Sequence, residues 1–342
     1  MTKDDEFDQV DEYGSFQDDE NMPTCSKANI LYNMHRYEDA IVIFDQVIKL
    51  NPMIIDAYVG KSNSQLQLGM STDAKASLEE ALKLEPDDAS ANANMGTVLL
   101  SMSEFDEALK YFERGVELNP FSYHAHIGRA DALFMMKRYD MALKYYDMAE
   151  KLNDTMPDAY IGKGDICKIF QQYHEAIKHY TKVISIDPHV AEGYTGLADV
   201  MLRIDKLPDA VKNYDFAIRE EPENIYAHTG KATALMMMGE FEKSLISINE
   251  AIALDPNMAN TQTDKGNILV CLDRYEEALV YFDASISLNP KNPLAYVGKA
   301  AALIDLKRFD DASKCIDIAL ELDTNCNEAR MLDVHLRKKS RE

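Results

Sequence analysis

The apolar residues of this chain recur with helical spacing inside a unit of 34 residues. With position 1 set at Ile55, nine successive rows align without an insertion or deletion. Position 8 is always small, and position 20 is alanine in eight rows and serine in one, at Ser244. Position 24 is always large and apolar or aromatic. Positions 4, 8 and 11 share one helix face, as do positions 17, 20, 24 and 27. The pattern therefore predicts two amphipathic helices in every row.

Proline marks the end of seven of the nine predicted helix pairs. Seven of the eleven prolines occupy position 32, from Pro52 to Pro290. Proline cannot continue a helix interior and biases the residue before it toward an extended backbone. The pentapeptide AYVGK occurs at 57–61 and again at 295–299, seven periods later. Periods of 20–50 residues are typical of solenoids, in which stacked hairpins bury faces that a single hairpin leaves exposed.

The pattern resembles the tetratricopeptide repeat (TPR) family. The likeness rests on small residues at positions 8, 20 and 27, aromatics near 4, 17 and 24, and proline at 32, as in AYIGKGDICKIFQQYHEAIKHYTKVISIDP at 159–188. One departure is the absence of tryptophan at position 4, where tyrosine or histidine often stands. The resemblance implies an all-α fold, a right-handed α–α superhelix of antiparallel hairpins whose first helices line a concave groove.

Three segments are expected along the chain. Residues 1–20 hold nine acidic residues and one lysine, too much charge to pack alone. Residues 327–342 are expected to form a capping helix with a basic tail. The nine repeats between them, within 21–326, are expected at 21–54, 55–88, 89–122, 123–156, 157–190, 191–224, 225–258, 259–292 and 293–326.

Charge and composition narrow the possible partners and compartments. The formal net charge of −23 repels phosphate backbones and anionic lipid heads, so we expect neither a nucleic acid nor a membrane partner. A basic or amide-rich protein segment is favoured instead. The acidic start argues against a secretory or mitochondrial leader, and five cysteines without a CxxC pair suit a reducing compartment. We expect a cytoplasmic protein, with a nuclear, cytoskeletal or ciliary assembly left open.

The sequence favours no catalytic or metal chemistry. It contains no GxSxG, HExxH, GxxxxGK[ST] or GxGxxG motif. His124 and His126 are two residues apart, and His174 and His179 are five apart, so neither pair shares a helix face. We therefore expect no metal, no cofactor and no enzymatic activity.

The resemblance places candidate binding residues on the first helices. Position 9 carries short polar side chains, position 5 is often β-branched, and position 6 is glycine in six rows. The polar side chains either bind an extended peptide or bond to the neighbouring repeat. The glycines either open the groove wall or relieve crowding between first helices, and the basic residues at position 7 are expected to be structural. The candidate groove residues are Asn63, Asn94, Asp131, Asp165, Asp199, Asn267, Gly128, Gly162, Gly196, Gly230, Ile127, Ile161, Thr195 and Glu192.

The sequence leaves three functions open. The first is a protein-interaction scaffold or adaptor within a larger assembly, and the second is a regulatory or substrate-recognition subunit of an enzyme on another chain. The third is a co-chaperone, whose family clamp needs cations that the best-placed positions lack. Those positions are Val59, Asn63, Asn94, His124 and Gly128. An acidic N-terminal contact through Phe7, Val10, Tyr13 and Phe16 is a further possibility beside a purely solubilising segment.

Overall fold

The structure, a computed structural model, describes residues 23–339, which form nineteen α-helices and no strand. The predicted all-α fold is confirmed. The anticipated N-terminal contact through Phe7, Val10, Tyr13 and Phe16 lies outside the described residues. The predicted capping helix is present as the last helix, and its final turn carries Arg337, Lys338 and Lys339.

First and second helices alternate along the chain, and all nine second helices have 14 residues and begin at position 17. The first helices and the cap are α1 Cys25–Asn33, α3 Ile55–Gln67, α5 Ala89–Ser101, α7 Tyr123–Met135, α9 Asp158–Ile169, α11 Ala191–Arg203, α13 Ile225–Met237, α15 Ala259–Cys271, α17 Pro293–Asp305 and α19 Asn327–Lys339. The second helices are α2 Tyr37–Leu50, α4 Ser71–Leu84, α6 Phe105–Leu118, α8 Tyr139–Leu152, α10 Tyr173–Ile186, α12 Leu207–Glu220, α14 Phe241–Leu254, α16 Tyr275–Leu288 and α18 Phe309–Leu322.

The chain divides into two compact units, Met1–Tyr145 and Tyr146–Glu342, with the boundary inside α8. Within each unit, a first helix contacts its own second helix, the preceding second helix and the neighbouring first helices. No two second helices of the same unit contact each other among residues 23–339. The first helices therefore line the inner side of each unit, and the second helices lie outside.

The turn inside each hairpin has the same geometry in all nine repeats. The residue at position 15 has a positive φ of 56–76°. The N–H of position 16 donates to the carbonyl of position 11 at 2.8–2.9 Å, which satisfies a helix-end acceptor. Only Gly69 and Gly239 are glycine here, and the other seven residues adopt a conformation that costs about 1–2 kcal/mol. Hydrogen bonds and flanking helices therefore hold this turn, rather than glycine alone.

Position 4 joins each first helix to the turn before it. In seven repeats and in the cap helix its side chain donates to the backbone carbonyl of position 32, six residues earlier. The Tyr58 hydroxyl reaches Pro52 O at 3.2 Å, and Gln262 Nε2 reaches Pro256 O at 2.9 Å. Tyrosine, histidine, asparagine, glutamine and arginine can all serve, because the shared requirement is a hydrogen-bond donor. This explains why the chain does without tryptophan at position 4.

Successive hairpins meet where the side chain at position 24 packs against position 6 of the next repeat, a contact that we call a joint. In six joints an aromatic ring lies over a glycine, and a Cβ built on that glycine would fall 2.1–2.3 Å from the ring. The aromatic joints are Phe44/Gly60, Phe112/Gly128, Tyr146/Gly162, Tyr180/Gly196, Tyr214/Gly230 and Phe282/Gly298. The glycines are therefore required by a ring from the preceding hairpin.

The remaining two repeat pairs, and the last repeat with the cap helix, follow the complementary rule. An aliphatic residue stands at position 24, and position 6 of the next repeat carries a side chain. These aliphatic joints are Leu78/Asn94, Ile248/Asp264 and Ile316/Leu332. Because an aliphatic side chain is shorter than an aromatic ring, the next first helix does not need glycine at this point. All nine joints obey one rule: glycine accompanies an aromatic ring, and a side chain accompanies an aliphatic one.

Basic residues at position 7 reinforce five of the joints, in the structural role that the sequence predicted. Each of the five forms an ion pair with an acidic residue at position 25 of the preceding hairpin, at 2.5–2.7 Å. The pairs are Lys61–Asp45, Arg129–Glu113, Lys163–Asp147, Lys231–Asp215 and Lys299–Asp283. A partly exposed pair of this kind contributes about 0–1 kcal/mol, so the buried ring contributes more to the joint than the ion pair does.

We predict that Gly128→Ala destabilises the protein by about 1–3 kcal/mol, although alanine favours helix, because the added methyl would meet the Phe112 ring at 2.1 Å. The double variant with Phe112→Leu should recover part of that loss, with a coupling energy of about 0.5–3 kcal/mol. Urea unfolding followed by circular dichroism measures both quantities.

The matched control is Gly115→Ala, in α6. Its new Cβ would meet Ala93 and Ala125 at an ordinary 3.5 Å, so stability should stay unchanged or rise by up to about 1 kcal/mol. Equal losses for the two alanine variants, or strictly additive effects in the double variant, would contradict the joint rule.

Candidate functional site

The inner faces carry most of the residues that the sequence nominated. In the first unit, Asn63 and Asp131 are partly buried on first helices, and Ile127 is buried. In the second unit, Ile161 is partly buried and Glu192 is exposed. All five residues belong to first helices, the helices that meet one another inside each unit.

Asp165 and Asp199 are tied into a network inside the second unit. Lys168 Nζ lies 3.1 Å from Asp165 Oδ1 and 3.0 Å from Asp199 Oδ2. The hydroxyl of Tyr180 donates to Asp165 Oδ1 and that of Tyr214 to Asp199 Oδ1, both at 2.7 Å. Position-9 side chains were expected either to bind a peptide or to bond to the neighbouring repeat. Asp165 and Asp199 both bond within the repeat stack.

Burial and charge explain how this network titrates. Burial, reinforced by the adjacent carboxylates, raises the pKa of Tyr180 and Tyr214 far above the usual tyrosine range, so both hydroxyls remain donors. Burial alone would lower the pKa of Lys168, but the carboxylates of Asp199 and Asp165 outweigh it and the pKa is raised. The lysine therefore stays charged and neutralises much of the negative potential at Asp165 and Asp199.

Other nominated polar residues bond within their own helix. Asn94 Nδ2 donates to the carbonyl and the hydroxyl of Ser90, at 3.0 and 3.3 Å. The Thr195 hydroxyl donates to Ala191 O at 3.0 Å. Four nominated glycines, Gly128, Gly162, Gly196 and Gly230, lie under the rings of aromatic joints.

A cavity at the C-terminal end of the second unit escaped the sequence analysis. Its volume is about 910 Å³, and it opens between α15, α17 and α19. Asn267 was nominated and lies in its wall, but most other wall residues were not. The residues that shape it include Asp264, Val297, Glu328, Met331 and His335. The cap helix thus forms one wall of a pocket as well as ending the stack.

Asp264 is the distinctive group in this cavity. It belongs to the aliphatic joint with Ile248 and stands where six repeats have glycine. Its carboxyl has no hydrogen bond or ion pair to any described residue, and burial raises its pKa from 3.8 to about 6. The sequence signal was available, since an aspartate interrupts a column of glycines. Its significance is visible only in the structure, because Ile248 rather than an aromatic residue stands at position 24 of the preceding repeat.

The stacked hairpins define the protein as an α-helical repeat protein. Models described as Tetratricopeptide repeat match residues 93–157 and 195–259, residues 65–120 and 272–333, and residues 157–190. The chain belongs to the tetratricopeptide repeat family, with nine tandem repeats and a C-terminal capping helix. No curated protein matches the sequence.

Solved structures of other proteins are similar to this chain. The crystal structure of the APC/C hetero-tetramer Cut9–Hcn1 matches with a TM-score of 0.70 and 17% identity, over 81% of this chain and 55% of that one. This chain thus spans about half the length of that relative. TTC0263, a thermophilic TPR protein in Thermus thermophilus, matches with a TM-score of 0.49 and 18% identity, over 54% of this chain and 100% of its own. YrrB, described as a TPR protein with an unusual peptide-binding site, matches with a TM-score of 0.43 and 22% identity, over 54% and 95%.

Between residues 23 and 339, every helix is too short or too polar to cross a lipid bilayer.

We predict that Asp264→Asn stabilises the protein at pH 7.5 but not at pH 4. The folded-state pKa of about 6 exceeds the ordinary value of 3.8, so ionisation opposes folding. This penalty is absent below 3.8, grows between 3.8 and 6, and is complete above 6. The variant should therefore gain roughly 1–3 kcal/mol at pH 7.5, measured as the shift in urea midpoint.

The control is Asp317→Asn, which removes an exposed carboxyl from α18. Its effect should be within about 0.5 kcal/mol at both pH values. An Asp264→Asn effect of the same size at pH 4 and pH 7.5 would contradict the assignment, because the other titratable groups of the cavity, Glu328 and His335, are unchanged in both variants.

Proposed function

We propose that this protein is a non-catalytic scaffold that binds a peptide or partner segment on the inner faces of its repeats, as a subunit of a larger assembly. TPR repeats and TPR neighbours support a protein-interaction role. The observation that carries the proposal is the side-by-side arrangement of first helices in each unit. This arrangement gives a continuous row of position-5 and position-9 side chains, which a segment can contact along its length.

The chemistry of the inner faces favours an extended segment that is basic or rich in amides. Asn63 and Asn267 each offer an amide donor and acceptor, the pair of groups that a peptide backbone needs. Ile161 would supply apolar contact, the buried Ile127 would act by packing beneath the face, and the exposed Glu192 adds negative charge. The net charge of −23 adds long-range attraction for a basic partner.

The wider set of proposed contacts keeps the nominated residues. Asn94, Asp131, Asp165, Asp199 and Thr195 would face the bound segment along the first helices. The glycines at 128, 162, 196 and 230 would act indirectly, by seating the rings that fix the spacing of the first helices.

A regulatory or substrate-recognition subunit of an enzyme on another chain is the second proposal. The similarity to a Cut9 structure, a component of a hetero-tetramer, favours membership of an assembly. A co-chaperone role has weaker support, since Val59, His124 and Gly128 stand where the family clamp uses cations. We propose a cytoplasmic protein that needs no cofactor and binds neither nucleic acid nor membrane.

The test is affinity purification from the source cell with mass spectrometry of the captured proteins. The variant Asp131→Asn, Asp165→Asn, Asp199→Asn removes three charges from the inner faces but keeps acceptors for the Tyr180 and Tyr214 hydroxyls. We expect partner recovery to fall several-fold, because the variant leaves the charge of Lys168 without its two carboxylates and so repels a basic segment.

The matched control is Asp106→Asn, Asp140→Asn, Asp209→Asn, which removes the same charge from exposed positions of second helices. It should capture partners like the unmodified protein. Equal capture by all three proteins would move the interface away from the inner faces. Equal loss in both variants would show that net charge alone governs binding.

A further inference from the structure

We propose that the cavity between α15, α17 and α19 binds a lysine or arginine side chain of a partner peptide, with Asp264 as its counter-ion. This inference deepens the proposed function and rests on it, because it names one subsite of the inner face and the chemistry that the subsite selects. The occupant is a segment of another protein.

The size and walls of the cavity suit such a side chain. Its volume of about 910 Å³ exceeds what one long side chain fills, which leaves room for the flanking residues of a peptide. Leu294, Val297 and Met331 form an apolar lining, with Leu294 51% and Met331 74% exposed. Lysine and arginine carry long methylene stems that cover apolar surface while the charged head reaches a polar partner.

Charge makes the site selective. Two carboxylates, Asp264 and Glu328, line the cavity, while its lining residues include no lysine or arginine. An acidic ligand would be repelled, and a purely apolar ligand would bury Asp264 still further without a partner. A cationic head at Asp264 removes both penalties.

A comparison within the same unit separates Asp264 from the other inner aspartates. Asp165 and Asp199 already share Lys168 and each accept a tyrosine hydroxyl. The tyrosines at those two sites come from aromatic joints. Asp264 stands at position 6 rather than position 9, and its carboxyl has no hydrogen bond or ion pair to any described residue. Of these three aspartates, Asp264 is the one without an internal partner, and it lines the cavity.

The surrounding amides support the peptide's orientation. Asn267 lies one turn along α15 from Asp264, and Asn292 lies at the start of α17, both in the cavity wall. These groups can bond the backbone on either side of the anchored side chain.

The experiment measures fluorescence polarisation of labelled nine-residue peptide sets with mixed flanks and a fixed central lysine, arginine, norleucine or glutamate, using the full chain. We expect the lysine and arginine sets to bind at least about tenfold tighter than the other two, since one buried charge contact of 1.4 kcal/mol gives that factor. In Asp264→Asn this preference should fall to within about twofold, whereas Asp317→Asn should keep it.

A second variant tests whether the lost carboxyl, rather than a local folding defect, explains the loss of preference. Ile248→Phe with Asp264→Gly rebuilds the aromatic joint seen in six other repeat pairs and also deletes the carboxyl. It should lose the basic preference in the same way, with unchanged helicity by circular dichroism. The methyl resonance of Met331, assigned by Met331→Leu, should shift with the lysine set in the unmodified protein and stay fixed in either Asp264 variant.

The outcomes separate this inference from the groove function. A basic preference that survives both Asp264 variants overturns the inference and leaves peptide binding on the inner face intact. Failure of every peptide set to bind the unmodified protein also overturns it. The capture experiment with the Asp131, Asp165 and Asp199 variant then decides the groove function independently.

Discussion

The ring at position 24 sets the distance between neighbouring hairpins. It lies over glycine at position 6 of the next repeat, so the two backbones approach as closely as the thickness of an aromatic ring permits. Position 7 reaches an acid on the preceding second helix at five of the six aromatic joints, whereas position 4 reaches the preceding turn at aromatic and aliphatic joints alike. The ion pairs and turn contacts accompany the joint, and the inner face follows from the same spacing.

The repeated pentapeptide AYVGK contains several of the residues that join one hairpin to the hairpin before it. Ala57 is fully buried, Tyr58 donates to the carbonyl of Pro52, and Gly60 receives the ring of Phe44. Lys61 then pairs with Asp45 at 2.7 Å. The tyrosine, glycine and lysine all contact the preceding repeat, and the copy at 295–299 makes the equivalent contacts. The pentapeptide thus supplies contacts by which one hairpin packs on the hairpin before it.

Much of the fold was readable from the sequence, because local rules determine it. Helix faces follow from spacing, helix ends from proline, and the role of the basic residues at position 7 from their position in the repeat. The candidate site was less accessible. That Asp199 pairs with Lys168, 31 residues earlier, depends on the three-dimensional stacking of first helices. The cavity at Asp264 is formed by α15, α17 and α19, which are far apart in the sequence, so it becomes visible only once their packing is known.

The joint rule also limits how such a chain can grow or shrink during evolution. A gene duplication that inserts a whole hairpin places its position 24 against a new neighbour. If an aromatic residue at position 24 is then followed by Asn94, Asp264 or Leu332 at position 6, the ring has no glycine to lie over. Crossovers that carry position 24 and the following position 6 together, sixteen residues apart, keep both halves matched. The heritable module of this protein is therefore the junction between two hairpins, offset by half a repeat from the hairpin itself.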